Sequence, residues 1–169
     1  MEGKSKRKGP KILKGVPDPK FLLEASELDI REYEYCAAWS PEVWERIGSF
    51  WFVKPDAITG EEILAGAVSC SLVPDGGGKP FRLHIAKFLV REQSRRMGIG
   101  TELMERVMKR ALIGRTEWVT ALVPETWKPG LLFMREMGFT AERGLVECPS
   151  SGFSMVRMKK FVEREDDDD

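Results

Sequence analysis

A glycine-bearing turn between two apolar segments places the strongest constraint on the fold of this chain. Residues 83–90 form an apolar run typical of a strand, and apolar residues recur at helical spacing over 103–112. The turn between them carries Gly98 and Gly100. A strand, a glycine turn and a helix N terminus together present free backbone N–H groups and a positive dipole end to a phosphate. The sequence therefore predicts a site for a phosphorylated ligand at this turn.

Two common phosphate-binding loops do not fit the turn. A Walker loop ends in Gly-Lys-Ser/Thr, but Gly100 is followed directly by Thr101. A dinucleotide fingerprint needs a third glycine at the position that Leu103 occupies. The pattern that remains is Arg-x-x-Gly-x-Gly over residues 95–100.

A second motif follows at the expected distance. Residues 118–123 are β-branched and apolar, which is typical of a strand, and 128–137 read as a helix that ends in Met-Gly-Phe at 137–139. Together with the turn at 95–100, this order resembles the GNAT family of acyl-CoA-dependent N-acetyltransferases, whose second signature is Leu-Tyr-x-x-x-Gly-Phe. The resemblance extends over roughly residues 25–160. It implies an α/β fold of the α+β type, with a mixed, mostly antiparallel sheet of six to seven strands, flanking helices and a splay between strands four and five.

The rest of the chain is predicted from local patterns, and it contains no internal repeat. The predicted elements are a short strand at 21–23, helices at 29–38 and 41–47, strands at 50–53 and 63–73, a hairpin loop at 74–78, and a final strand pair at 139–147 and 153–161.

The resemblance implies which residues hold the CoA part of acetyl-CoA. Loop amides bind the pyrophosphate, the preceding strand binds the pantetheine arm, and a backbone N–H near Leu89 or Val90 polarises the thioester carbonyl. The implied cofactor-binding residues are Leu89, Val90, Arg95, Arg96, Met97, Gly98, Ile99, Gly100, Thr101, Trp127 and Phe133. Each arginine either adds charge at the phosphates or is an ordinary exposed loop side chain. No metal is implied.

Three residues are candidates to accept the proton of the attacking amine. His84, the single histidine of the chain, stands where histone-acetylating relatives carry a glutamate, and an imidazole pKa of about 6.5 suits a base. Glu117 precedes the fifth strand and Glu125 follows it, near the expected amine. The alternative for His84 is a half-buried strand residue satisfied by its neighbours, and a one-residue slip in register would turn it to the other face.

The proton donor to the departing thiolate is where the sequence departs from the family pattern. Met134 stands at the position of the signature tyrosine, and methionine cannot donate a proton. The only two tyrosines, Tyr33 and Tyr35, lie far upstream. Water, Thr126 or Cys148 are the alternatives, or no donor is needed, because a thiol with a pKa of about 8.5 is a fair leaving group.

These residues predict an enzyme that moves the acetyl group of acetyl-CoA to a primary amine by direct attack. The acceptor is a protein N terminus, a lysine or a small amine. The alternative is a catalytically weak or inactive CoA-binding module that acts as a sensor or scaffold, because Met134 and Trp127 both depart from the family pattern.

The acceptor is expected between residues 32–48 and 143–155. The first of these segments is aromatic and acidic, which is typical either of a site for a cationic amine or of a helix pair with Trp39 and Trp44 in the core.

Charge is distributed unevenly along a chain whose net charge is zero. Residues 1–20 hold seven lysines and arginines and are predicted to be a basic, disordered arm; 163–169 form an acidic, disordered tail, and 21–162 form the domain. Zero net charge argues against nucleic acid as a partner, although an RNA- or ribosome-associated protein that works through its basic arm is an alternative.

The sparse, odd number of cysteines predicts a cytoplasmic protein, and the absence of long apolar stretches predicts that it makes no membrane contact. The expected oligomeric state is a monomer or a homodimer. Cys36, Cys70 and Cys148 have no metal-ligand spacing.

Overall fold

The computed structural model describes residues 9–33, 37–74, 81–148 and 151–164. In these ranges the chain forms four α-helices and seven β-strands, and a short 3₁₀ turn, Glu92–Ser94, precedes the third helix. The elements are β1 (Lys11–Lys14), α1 (Pro19–Glu32), α2 (Pro41–Ile47), β2 (Phe50–Pro55), β3 (Glu62–Pro74), β4 (Phe81–Val90), α3 (Ile99–Ile113), β5 (Trp118–Pro124), α4 (Lys128–Glu136), β6 (Thr140–Glu147) and β7 (Ser154–Phe161).

The seven strands form one mixed sheet in the order β1-β2-β3-β4-β5-β7-β6. Neighbouring strands are antiparallel except β4 and β5, which run parallel. Pairing of β4 with β5 extends only from Arg82 to Ile85, although β4 continues to Val90. The predicted fold class is confirmed, including the splay between the fourth and fifth strands.

A β-bulge in β4 reverses its two faces just before the splay. Ile85 pairs with Cys70 and Lys87 pairs with Ser69, so Ala86 is the extra residue. Before the bulge, Ile85 packs into the core beneath α3, whereas after it Leu89 packs into the core beneath α1 and α2.

The two cores lie on opposite faces of the sheet. The first contains one face of α3, including Leu103 and Val107, because apolar residues recur in that helix every three or four positions. The second contains Leu28 of α1, Trp44 of α2 and Trp51 of β2. Trp44 and Trp51 are completely buried, so the alternative that placed Trp39 and Trp44 in the core is confirmed for Trp44. Trp39 lies before α2 and is only partly buried against this core.

Three predictions near the N terminus are wrong. Residues 21–23, predicted as a strand, lie within α1, because the Asp18 side chain caps the backbone N–H of Lys20 and Pro19 occupies the first helical position. The helix predicted at 29–38 therefore begins earlier and ends at Glu32. The first strand is Lys11–Lys14, which pairs with β2 and so belongs to the fold rather than to an arm spanning 1–20. The parts of the arm, hairpin loop and tail at 1–8, 75–78 and 165–169 lie outside the described residues.

Candidate active site

A cleft of about 590 Å³ opens where β4 and β5 separate. Its walls are the ends of these two strands, the turn after β4, the first turn of α3 and one side of α4. Ten of the predicted cofactor-binding residues line it, and these are Leu89, Val90, Arg95, Arg96, Gly98, Ile99, Gly100, Thr101, Trp127 and Phe133. Met97 is not among the lining residues; its side chain is 62% exposed and its sulfur lies 3.5 Å from Lys54 Nζ.

The turn between β4 and α3 meets the cleft at two glycines and at the start of a helix. Gly98 is the N-cap of α3 with a φ of +79° and no side-chain cap, so the first helical N–H groups have no protein acceptor from a capping side chain. A Cβ at Gly98 would meet no atom within 4 Å, whereas one at Gly100 would lie 3.2 Å from the Phe133 ring. Gly98 is therefore required by its backbone conformation, and Gly100 by the close approach of α4.

Strand geometry decides which backbone N–H groups face the gap. The N–H of Arg91 donates to the carbonyl of Ala65 on β3 (2.7 Å). Because backbone groups alternate in direction along a strand, the N–H of Leu89 also points toward β3, and those of Phe88 and Val90 point toward the gap. Of the two predicted donors to a thioester carbonyl, Val90 has the required orientation and Leu89 does not.

A buried carboxylate stands beside the turn. Arg95 Nε donates to the carbonyl of Val90 (3.2 Å), and its guanidinium lies 3.8 Å from Oε2 of Glu32. Glu32 also accepts a hydrogen bond from the backbone N–H of Glu92 (3.2 Å). Its side chain is only 10% exposed, and among the described residues Oε2 accepts no hydrogen bond. Glu32, which the sequence assigned to the acceptor region, therefore lies in the wall of the cleft next to the turn.

Two aromatic residues of the segment predicted to meet the acceptor, Tyr33 and Trp39, surround a cation of the chain itself together with Asp29 of α1. Lys87 Nζ lies 2.9 Å from Asp29 Oδ1 and 3.0 Å from the carbonyl of Ala37. The same atom is 4.9 Å and 5.4 Å from the ring centroids of Tyr33 and Trp39. The side chains of Lys87 and Asp29 are 2% and 0% exposed. The cluster thus ties β4 to α1 and to the segment before α2, and two of its members, Tyr33 and Lys87, also line the cleft.

His84 lies on β4 at the edge of the splay and is not a lining residue of the cleft. It occupies the next-to-last pair before the strands separate, and its Nδ1 is 2.9 Å from Thr120 Oγ1 on β5. Burial, with repulsion from Arg82 and Arg157, lowers the pKa of His84 to about 4. The imidazole is therefore neutral near pH 7, with the ring oriented by Thr120.

The other predicted acids and bases lie outside the cleft. Glu125 and Thr126 are exposed in the turn after β5, and Cys148 is buried after β6. The residues that line the cleft include none of these three. The carbonyl of Glu117 accepts from the N–H of Val162 at the start of β5, the end opposite the gap. Among the described residues, no three His, Cys, Asp or Glu side chains come together as a metal site.

The sequence placed Tyr33 in the acceptor segment but, because it lies far upstream, did not predict it as a proton donor in the cleft. Tyr33 follows α1, is 8% exposed, and lines the cleft with its ring centroid 5.9 Å from that of Trp127. Met134 lines the same cleft, buried, at the position of the signature tyrosine. The signal that would have found Tyr33 is the start of α1 at Pro19, since a helix from there delivers its C-terminal end to β4.

No helix in the described ranges is long and apolar enough to span a membrane.

The model of the acetyltransferase (GNAT) family matches residues 20–139, so the chain belongs to this family. No curated protein sequence matches the chain.

Among solved structures, a chain of the NatC complex bound to Gag peptide and CoA has a TM-score of 0.76 and 13% identity, covering 92% of this chain and 99% of its own. Ard1 from Thermoplasma volcanium has a TM-score of 0.72 and 16% identity, covering 92% of this chain and 99% of its own. Arabidopsis thaliana NAA60 in complex with acetyl-CoA has a TM-score of 0.72 and 16% identity, covering 90% of this chain and 99% of its own. At these identities the likeness establishes the fold.

Proposed function

We propose that this protein transfers the acetyl group of acetyl-CoA to the α-amino group of a polypeptide. The observation that carries the proposal is the cleft between β4 and β5, which ends at an uncapped helix N terminus and a left-handed glycine. A ligand with a phosphate at one end and a linear arm fits this shape. The loop amides and Thr101 would hold the phosphates, while Arg95 and Arg96 would supply positive charge.

The thioester end of the arm would lie along the open edge of β4. The N–H groups of Val90 and Phe88 point into the gap, where a carbonyl oxygen can accept from them. A backbone donor of this kind contributes about 3 kcal/mol when charge develops on that oxygen. The chemistry therefore depends on backbone geometry, and the side chains of these two residues have no part in it.

Proton transfer would use two side chains, His84 at the edge of the splay and Tyr33 in the cleft wall. His84 is neutral, so it can accept the proton of an acceptor that lies over the paired part of β4 and β5. Tyr33, a hydroxyl in the cleft wall, would donate to the thiolate in place of the signature tyrosine. In this proposal Tyr33 replaces Thr126 and Cys148, which do not line the cleft.

An N-terminal amine suits the modest base strength at this site. Its pKa of about 8 leaves roughly a tenth of it neutral at pH 7, whereas a lysine side chain with a pKa of about 10.4 is almost fully charged. A base with the lowered pKa of His84 assists the first kind of amine more effectively than the second. The NatC complex, one of the similar folds, was solved with a peptide and CoA.

Two measurements test the proposal in sequence. Calorimetric titration should show micromolar binding of acetyl-CoA and desulfo-CoA and no binding of ATP. Thiol release should then follow addition of peptides with free N termini and fall at least tenfold for the same peptides with blocked N termini. Tyr33→Phe should lower kcat with little change in the affinity for acetyl-CoA. A folded sample that fails to bind either CoA form contradicts the proposal.

The second candidate function is a CoA-binding module without turnover. The buried, lining position of Met134 favours it, because no proton donor stands at the family position. Tight acetyl-CoA binding with no thiol release across peptide, lysine and polyamine acceptors would support this candidate over the enzyme.

A further inference from the structure

A row of basic side chains lies on the sheet beside the acceptor end of the cleft. Arg82 on β4 pairs with Trp118 on β5, and Trp118 pairs in turn with Phe161 on β7. Further along the same two strands, Thr120 on β5 pairs with Lys159 on β7. Directly paired residues share a face of the sheet. The contact of Lys159 Nζ with the Trp118 ring, 4.6 Å from its centroid, confirms the shared face. We call the surface formed by Arg82, His84, Trp118, Arg157 and Lys159 the basic face.

The basic face continues the side of the sheet that α1 and α2 cover elsewhere. Ser69 on β3 faces α2, since its hydroxyl donates to the carbonyl of Ile47 (2.8 Å). The next residue on that face of β3 is Ser71, which is exposed and pairs with His84. In the described ranges, helical cover therefore ends between Ser69 and Ser71, and the basic face lies beyond it.

Positive charge predominates on this surface. Arg157 and Lys159 are 43% and 37% exposed, and Glu142 lies 3.9 Å and 3.4 Å from them. In the described ranges both cations share the carboxylate of Glu142, and Arg82 adds a third positive charge to the face. The positive potential also reaches His84, whose pKa is lowered in part by Arg82 and Arg157.

The basic face is continuous with the cleft. Leu122 lines the cleft, and its partner on β7 is Arg157. On β4, Ala86 lines the cleft two residues beyond His84. If the N-terminal amine of an acceptor polypeptide enters the gap, the residues that follow this amine would lie across the basic face. The five residues of β5 from Trp118 to Leu122 extend about 13 Å, which matches about four residues of extended polypeptide.

We propose that the basic face binds an acidic segment of the acceptor polypeptide within the first few residues after its N-terminal amine. This inference rests on the proposed function and adds the substrate class. Carboxylates would pair with Arg157 and Lys159, and they would compete with Glu142 for both. A peptide is favoured over nucleic acid because the cations are few and the chain has zero net charge.

Binding of two labelled peptides to the full-length protein, saturated with desulfo-CoA, tests the inference. One peptide carries four acidic residues after its N-terminal methionine, and the other carries the matching amides, with the fluorophore at the C terminus of each. The acidic peptide should bind at least tenfold more tightly at low salt, and the difference should shrink as salt rises.

Three variants on the basic face should change the affinity for the acidic peptide in opposite directions. Arg157→Gln and Lys159→Gln should each weaken binding of the acidic peptide about two- to fivefold. Glu142→Gln should strengthen it by a similar factor, which a loss of folding could not produce. Lys109→Gln is the matched control, because Lys109 is an exposed cation on α3 at the opposite face of the sheet.

Equal affinity for the two peptides, or no gain with Glu142→Gln, would overturn the inference. Tighter binding of a single-stranded RNA oligonucleotide, lost in Arg157→Gln, would also overturn it in favour of nucleic acid. The proposed function fails separately: an acidic peptide that binds but is not acetylated contradicts the enzyme and leaves the basic face. Acetylation of both peptides at equal rates contradicts only the basic face.

Discussion

The two ends of the cleft are built in different ways. At the end proposed to hold the phosphates (the phosphate end), the site is a turn of consecutive residues, and its important properties are the φ of Gly98 and the uncapped start of α3. At the other end, toward the proposed acceptor (the acceptor end), buried Lys87, Asp29 and Tyr33 and partly buried Trp39 come from three separate parts of the chain. The comparison teaches that a backbone site can be recognised from a short motif, whereas a side-chain cluster depends on how distant elements pack.

The largest expected effect tests the acceptor end. Lys87→Met should lower the free energy of unfolding by about 3–5 kcal/mol, because it leaves the carboxylate of Asp29 buried without its cation. Lys87 lines the cleft, but the turn between β4 and α3 is untouched, so the affinity for acetyl-CoA should change by less than about threefold. Denaturant unfolding and calorimetry measure the two quantities.

The control for this change is another strand lysine in an ion pair. Lys159 lies 3.4 Å from Glu142 but is 37% exposed, so Lys159→Met should cost at most about 1 kcal/mol. If Lys87→Met costs no more than Lys159→Met, the buried pair does not hold the acceptor end together.

The second effect tests the phosphate end. Gly98→Glu should weaken acetyl-CoA binding about 100-fold, because a carboxylate at the helix N terminus would occupy the place of a phosphate. Gly60→Glu is a matched control: its φ is +73°, and a Cβ there would also meet no atom within 4 Å. Both variants carry similar backbone strain, so a difference in their affinity for acetyl-CoA can come only from the position of the new carboxylate. A folded Gly98→Glu protein with wild-type affinity would refute the placement of the phosphate site.

The smallest effect concerns His84, at the boundary between the two ends. Its pKa is lowered from 6.5 unfolded to about 4 folded, so between these values the unfolded state binds more protons. Stability should fall as pH drops below 6.5, by roughly 2 kcal/mol at pH 5 relative to His84→Gln. Thermal or denaturant unfolding at several pH values measures the difference. Parallel curves for the two proteins would show that the imidazole is not desolvated as the structure indicates.

Much of the fold was predictable because its elements have strong local patterns. Strand β4, helix α3 and the helix of the second motif were predicted nearly at their observed bounds, since apolar periodicity and glycine punctuation define them. The prediction failed at 21–23, where a short apolar run has no period of its own and the cap at Asp18 decides for a helix. It also failed for β1, whose four residues become a strand only by pairing with β2.

The sequence by itself determined the glycine turn that is proposed to hold the phosphates, because a turn of consecutive residues needs only its own backbone conformation. Tertiary structure decided the rest. It directed Val90 rather than Leu89 toward the gap, through pairing with β3, and it brought Tyr33 into the cleft wall across more than fifty positions of chain. It also buried Lys87 against Asp29, Tyr33 and Trp39, where the sequence predicted either a site for a ligand amine or a packed core. These outcomes depend on strand register and on the packing of distant helices, which local patterns do not encode.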